Sequence, residues 1–342
     1  MEAIMETEER DSKIITIADI AEALGVSKTT VSRAISGKGR IGTETRNNVL
    51  RYIKEHDYKP NVIARGLAQS KTYNICLTLP SDYNISELPY FQKVLLGACD
   101  YLSEMDYDVI VTKISEDDIS NLSRIIYNRK VDGVILTRTT MNGKSIKFLK
   151  SKKIPFLVLG IYPDESVYQI DSKHMEGCAE LTNILLMKGL KRLALFEGSN
   201  RHYVTKSRYE GFRRAHEKAG VSINKNLIYE NLVNNVSIEK SVDDALKNKA
   251  DCIVCMDDNI CYQVLRKLRH DGVSVPGGIR VASFFDSNLL EGNSPPITCV
   301  DFEVNNVGLI AAKTLLSIID NEDNVPMKIE MGYEIALKES TK

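Results

Sequence analysis

The sequence contains no apolar run approaching the roughly 20 residues that a membrane span requires. Its N-terminus sets Glu2, Glu6, Glu8, Glu9 and Asp11 against Arg10 alone, which is unlike a secretory signal peptide. Cysteine is sparse: seven are scattered along the chain, an odd number that argues for a reducing compartment rather than a disulfide framework. Cys252 and Cys255 spell C-x-x-C, but no second pair supplies further ligands. The surrounding DCIVCMDD reads as a buried strand, in which residues three apart point to opposite faces. Five histidines lack metal-ligand spacing. There is no G-x-x-x-x-G-K-[ST], no G-x-G-x-x-G after a strand, no G-x-S-x-G and no H-E-x-x-H, and nothing points to a Ser-His-Asp triad. The residues thus nominate no catalytic group, no metal site and no cofactor.

What is present is uneven. A chain of 342 residues with 43% hydrophobic content has room for two or more domains with sizeable cores. The formal net charge of −1 conceals its distribution. Residues 1–11 are strongly acidic, and residues 1–12 read as a disordered extension. Residues 12–72 carry eleven Lys or Arg against five acids, a balance of +6. A basic head on a mildly acidic body points to a polyanion partner for the head alone.

From 16 to 58 three short helical patterns follow one another. The pattern then changes to apolar runs of strand length alternating with amphipathic helices. The runs are YNICLTLP (73–80), YDVIVTKI (107–114), VDGVILTR (131–138), IPFLVLGI (154–161), RLALFEG (192–198), ADCIVCMD (250–257) and RVASFFD (280–286). Strands apolar on both faces, alternating with helices, imply an α/β fold with parallel sheets covered on both sides. Two doubly wound lobes are expected, with a ligand cleft at the carboxyl ends of their strands.

In the head, Thr16 opens a helix, TIADIAEAL, with Asp19 three residues on as in a capping box. Gly25 permits the left-handed turn that ends it. Ser27 caps a second helix, KTTVSRAIS, whose Val31 and Ile35 are expected to face inward. Ala21, Gly25 and Val31 keep the spacing of a helix-turn-helix, whose tight crossing needs small residues. Lys28, Thr29 and Arg33 then fall outward, on the face a recognition helix presents to base edges in the major groove. Arg33 suits a bidentate contact with guanine, and Thr29 a thymine methyl or a base acceptor. Ser27, Thr30, Ser32 and Ser36 are short hydroxyls suited to phosphate oxygens, which set register rather than sequence. The alternative is an ordinary helical pair with a solvated basic face.

The stretch TIADIAEALGVSKTTVSRAISGKGRIGTETRNNVLRYIKEHDYKPNVIARGLA resembles the headpiece of the LacI–GalR family of bacterial transcription regulators. The resemblance rests on V-S-x-x-T-V-S-R, the T-R of the third helix, and Y-x-P-N before A-R-x-L-A. It continues at PYF (89–91), VDGVIL (131–136), SRYEGF (207–212), PP-I-T (295–298) and VNNVGLIAAKTLL. It implies a helix-turn-helix headpiece over 13–59, a hinge over 60–72, and an effector-binding and dimerisation body over 73–342 similar to periplasmic sugar-binding proteins. The N-lobe is expected to take 73–170 and 302–331, and the C-lobe 171–301 and 332–340.

The hinge segment NVIARGLAQS is too short to hold a helix alone in water, and Gly66 weakens it further. In the family it becomes helical only when two such segments pair in the minor groove. The resemblance makes Leu67 the wedge between base pairs, with Ala64 and Ala68 allowing close approach. It sets Asn61 on the backbone near the groove and Arg65 on a phosphate. Otherwise Leu67 is an exposed apolar residue in a floppy tether.

For the cleft, Tyr90 and Phe91 follow the first strand after a loop and suit stacking on a sugar or base ring, as matching aromatics do in the purine-sensing branch. The alternative is that both pack at a helix N-terminus. Arg208 falls at the family's effector-gripping arginine; the alternative is a surface salt bridge. In CMDDNI, Asp257 replaces the usual asparagine and is expected to face the pocket, while Asp258 is expected to cap the following helix. His202 falls in a loop where a relative uses a basic ligand. Two departures stand out. Phe285 occupies the place of an acid that commonly holds sugar hydroxyls, and Gly160 replaces a charged residue that relatives often use. Both argue for a flatter or less hydroxylated effector, or for a drifted pocket.

The resulting expectation is a cytoplasmic, nucleoid-associated homodimer, most often a repressor in this family. It binds a pseudo-palindromic double-stranded DNA operator and a small-molecule effector, needs no cofactor and touches no membrane. A solute-binding protein would need a secretory signal and no headpiece. An α/β enzyme would need one of the missing motifs.

Overall fold

A computed structural model of the chain describes residues 15–37, 39–58, 66, 69–81, 89–290 and 292–342. They fall into two units, one ending at Lys71 and the other beginning at Thr72.

The first unit holds three helices, α1 (Ile17–Ala23), α2 (Lys28–Ser36) and α3 (Thr43–Glu55). Thr16 and Asp19 close a reciprocal capping box: the Thr16 amide donates to Asp19 Oδ2 at 2.8 Å, and the Asp19 amide to Thr16 Oγ1 at 3.3 Å. Gly25, with φ of +61°, turns the chain toward α2, which Ser27 caps by accepting from the Thr30 amide at 3.1 Å. Ile20, Val31, Ala34 and Val49 are wholly buried and join the three helices. Fully burying one such branched side chain contributes about 1.5–3 kcal/mol. Ile35, expected to face inward, is only partly buried; Ala34 takes the inner position with Val31 because those two point at α1 and α3.

The second unit is built on two six-stranded sheets. The first runs β11-β5-β4-β3-β1-β2 and is parallel throughout. Its strands are β1 (Asn74–Pro80), β2 (Asp108–Ile114), β3 (Gly133–Leu136), β4 (Phe156–Leu159), β5 (Tyr168–Asp171) and β11 (Lys328–Glu330). The second runs β12-β10-β9-β8-β6-β7, made of β6 (Leu193–Phe196), β7 (Ile228–Tyr229), β8 (Cys252–Cys255), β9 (Arg280–Ser283), β10 (Thr298–Phe302) and β12 (Tyr333–Ala336). Only β12 is antiparallel to its neighbour.

Both faces of each sheet are covered, as near-continuous apolar strands require. In β1, Ile75, Leu77 and Leu79 meet helices Pro89–Glu104 and Val307–Ile319, while Cys76 faces helices Ser120–Tyr127 and Lys144–Lys152. In β8, Cys252 packs toward helices His174–Met187 and Tyr203–Ala219, and Cys255 toward Asn235–Lys247 and Asp258–His270. The two C-x-x-C thiols thus lie on opposite faces, both buried. β2 is an edge strand and correspondingly half exposed, so its apolar residues do not mark two covered faces. Two glycines let helices approach closely. A β-carbon on Gly211 would run into the Met175 carbonyl, and one on Gly308 into the Val94 carbonyl.

The chain passes between the sheets three times: after β5 into helix His174–Met187, after β10 into helix Val307–Ile319, and from β11 directly into β12. All three passages leave from the β5/β11 edge of the first sheet and the β10/β12 edge of the second. Among the described residues no helix is long and apolar enough to cross a membrane.

Candidate functional site

On α2 the buried side belongs to Val31 and Ala34, and the opposite side is polar. Lys28, Thr29, Ser32, Arg33 and Ser36 are exposed. Ser27 and Thr30 hold each other, with their hydroxyl oxygens 2.9 Å apart at the start of the helix. Arg33 does not project freely, for its stem lies along the turn at Gly39. The hinge residues Asn61, Ala64, Arg65, Leu67 and Ala68 lie outside the described residues, as do residues 1–12.

Between the two sheets, at the carboxyl ends of their strands, lies a cavity with about 1000 Å³ of empty space, its open mouth included. That is where doubly wound sheets gather ligand-binding groups. Tyr90, Phe91, His202, Arg208, Asp257 and Phe285 all stand on its wall. The first lobe contributes Tyr90 and Phe91 from the start of helix Pro89–Glu104, and Thr137, Arg138 and Thr139 from the end of β3. The second contributes Ser199 and His202 after β6, Arg208 from helix Tyr203–Ala219, Met256 to Asn259 after β8, and Phe285 after β9.

Each lobe lays an arginine across a phenylalanine. Arg138 sits 5.5 Å from the Phe91 ring centroid, and Arg208 5.5 Å from that of Phe285. Arg208 is only 7% exposed; its Nη1 donates to the Met256 carbonyl, while its Nε–H has no acceptor. It is therefore a buried donor directed at the cavity rather than a surface ion pair. Tyr90 meets Phe91 edge-on at 5.1 Å and Phe285 at 6.0 Å. Behind Phe285 the ring of Phe302 stacks at 6.0 Å, and Phe302 touches His174 at 4.5 Å and Tyr333 at 6.2 Å.

Asp257 faces the cavity as expected, but it also takes the capping role expected of Asp258. Asp257, not Asp258, caps the helix: its backbone is extended and Oδ1 accepts from the Ile260 amide at 2.8 Å. β8 ends at Cys255 and the Met256 amide still donates to the Phe196 carbonyl of β6 at 2.9 Å, so the first residue free to leave the sheet and face the new helix is Asp257. It still lines the cavity. Burial raises its pKa, a shift that the Ile260 amide and then Arg208 and Arg138 oppose. Asp258 is the first helical residue, 5% exposed, and burial followed by the neighbouring Asp257 pushes its pKa up to about 6. His202 stands at the rim, its Nε2 3.4 Å from Arg138 Nη1.

Sequence reasoning missed Arg138, Ser172, His174 and Asp258 as cavity residues. Arg138 was legible as the residue just past a strand end. Ser172 and His174 follow β5, whose short, polar YQID carries no strand signature. His174 is kept neutral by burial and then by Arg208, and its Nδ1 has no partner. The wall thus offers flat rings, arginine donors and carboxylate acceptors, which suits holding a small polar ring compound. Among the described residues no cluster of three metal-ligating side chains occurs.

Residues 16–61 match the model of the bacterial regulatory proteins of the lacI family, and residues 182–341 that of the periplasmic binding protein-like domain. The regulator MalR of Streptococcus pneumoniae serotype 4 (strain TIGR4) is 29% identical over 322 residues, covering 91% of this chain and 94% of its own. The chain belongs to the lacI family of bacterial regulators. Catabolite control protein A of Staphylococcus aureus (strain Mu50) is 26% identical over 339 residues, 96% of this chain and 99% of its own. Among solved structures, the complex of the transcriptional regulator CelR with cellobiose matches with a TM-score of 0.71 and 25% identity over 95% of this chain and 99% of its own. The lac repressor dimer bound to operator and an anti-inducer shares the fold with a TM-score of 0.78, at 18% identity over 96% of this chain and 99% of its own. This lacI-family member is a ligand-responsive, DNA-binding transcriptional regulator, and the family is not one of enzymes.

Proposed function

We propose that two copies of this lacI-family chain grip a pseudo-palindromic operator and repress transcription until a sugar or similar small metabolite enters the cleft. The observation that carries the reading is one chain holding both a helix with an outward Lys28, Thr29 and Arg33 and a cavity walled by two lobes. Lys28, Thr29 and Arg33 read base edges; Ser27, Thr30, Ser32 and Ser36 meet phosphates, with Asn61 and Arg65 from the hinge. Leu67, between Ala64 and Ala68, wedges the minor groove, at an unstacking cost of a few kcal/mol that the bent duplex offsets. The headpiece then spans 13–59, the hinge 60–72 and the body 73–342, and the protein works in the cytoplasm on the nucleoid.

In the body, Tyr90, Phe91 and Phe285 stack on the effector, Arg208 and His202 donate to it, and Asp257 accepts. The name of one relative, a complex with cellobiose, supports a sugar as the first candidate. Selection of the full chain on a random duplex library tests the reading. A symmetric site bound with Kd of roughly 10⁻⁸ M or tighter, weakened steeply by salt, supports it. Indifference to sequence, with and without maltose or cellobiose, rules it out.

A further inference from the structure

The cleft is closed in different ways at its two edges. At the β5/β11 edge the lobes are joined covalently by the three chain passages. At the opposite edge, where β2 borders the first sheet and β7 the second, only non-covalent contacts join them. Arg201, after β6, reaches across the gap to two acids that follow β2. Its Nη2 donates to both Asp117 carboxylate oxygens, at 2.8 and 2.9 Å, and its Nε pairs with Glu116. Beneath the ion pairs the backbones meet as a short antiparallel bridge between Thr140 and His202. The Met141 amide donates to the Arg201 carbonyl at 2.9 Å, and the Tyr203 amide to the Thr139 carbonyl at 3.4 Å.

Three observations separate this from an ordinary surface salt bridge, most of which contribute little. The acceptor is built: the Glu116 side chain is 9% exposed, and the Asn142 side-chain amide donates to its carbonyl at 2.8 Å. Asp117 is steadied in turn by Lys144 Nζ on its carbonyl, at 2.5 Å. Finally, the segment that Arg201 anchors also carries Ser199 and His202 into the cavity wall, although Arg201 itself does not line the cavity.

We propose that Arg201, through Glu116 and Asp117, is a latch on the free edge of the cleft: a positioning residue that holds the Ser199–His202 wall in place and governs how often that edge opens. This rests on the cleft being the effector site. The solvent-accessible Arg201–Asp117 pair suits the role because such pairs part and re-form readily, whereas an apolar seam would hold the edge shut. Their strength also falls with salt.

The cross-lobe amides report the latch directly, with no ligand needed. Residue-resolved hydrogen–deuterium exchange on the full chain reads Met141 and Tyr203. Arg201→Ala is expected to speed both about five-fold, as befits a good exposed network, while amides of Leu193–Phe196 keep their rates. Arg201→Lys should fall between. Glu116→Gln with Asp117→Asn should match Arg201→Ala, and adding Arg201→Ala to that pair should change nothing more. Unchanged exchange at Met141 and Tyr203 in Arg201→Ala overturns the latch, and so does an equal acceleration across β6, which marks a lobe loosened as a whole. Because no effector is present, such a result leaves the reading of the cleft standing, and that reading is tested separately by thermal shift with maltose and cellobiose.

Discussion

Gly39 leaves the space that the stem of Arg33 occupies. A β-carbon built on Gly39 would stand 3.2 Å from Arg33 Cδ and 3.3 Å from its Nε, and its φ of +93° is one that side-chain-bearing residues rarely adopt. On the same turn, a β-carbon on Gly37 would stand 3.3 Å from Arg46 Nη2. The turn after α2 is therefore bare where two arginines cross it. Arg33→Ala should relax preference at one base position per half-site by about 1–3 kcal/mol. Gly39→Ala should blur the same position and add nothing in the Arg33→Ala background. Competition binding with single-base operator variants checks both. An independent, position-blind loss from Gly39→Ala would mean that the turn supports the headpiece as a whole.

The unmatched Nε–H of Arg208 is a second point of leverage. A ligand that supplies its acceptor removes a buried unpaired donor. Wild-type protein saturated at roughly 100 Kd gains about 2.7 kcal/mol of stability. With whichever of maltose and cellobiose stabilises the wild type, Arg208→Ala should lose nearly all of that gain in a thermal-shift titration. Its operator binding without ligand should persist.

Glu197 introduces a pH dependence whose direction is fixed. It is 6% exposed, and burial, with Glu230 adding to it, raises its pKa to about 7. Glutamate in an unfolded chain ionises at about 4.3. The native state therefore holds this proton more tightly, so the group's contribution is most favourable below pH 4.3 and declines as pH rises toward 7. Glu197→Gln should raise the melting temperature at pH 8 by about 2–4 °C and leave it unchanged near pH 4. A gain of equal size at both pH values would assign the effect to packing instead.

Gly308 should tolerate nothing larger. The β-carbon of alanine would collide with the Val94 carbonyl across two packed helices, and overpacking of this kind costs about 1–3 kcal/mol or more. Gly308→Ala should lower the denaturant midpoint. Gly272→Ala, where a β-carbon meets open space at a φ of +69°, measures backbone strain alone.

Much of this architecture was legible in the residues, and the failures have physical causes. The seven apolar runs of strand length became strands, six of them because burial on two faces leaves an unbroken hydrophobic signature, and β2 as a half-exposed edge strand. The strands that escaped notice, β5, β7, β10, β11 and β12, are edge, crossover or very short strands carrying residues such as Gln169, Asp301 and Lys328. Their positions in the sheets are settled by neighbours distant in sequence. Tyr90, Phe91, Arg208 and Phe285 stood out because their family positions are marked by local motifs. The roles of Asp257 and Asp258 could not be separated, since a shift of one residue in where β8 stops exchanges cap and helix. Arg201 carried no signal at all. Its acids lie 84 and 85 positions away, and only the meeting of the two lobes brings them together.

The rings behind the cavity have a further consequence. Phe302 and Tyr333 are ladder partners on the strands through which the chain changes lobes, and His174 follows the first passage. Phe302 stacks on Phe285, and the other two rings reach Phe285 only through Phe302. Reshaping Phe285 to welcome a different metabolite would therefore also disturb the packing of the strands through which the chain changes lobes. A change of effector at this wall is thus coupled to the seam between the lobes.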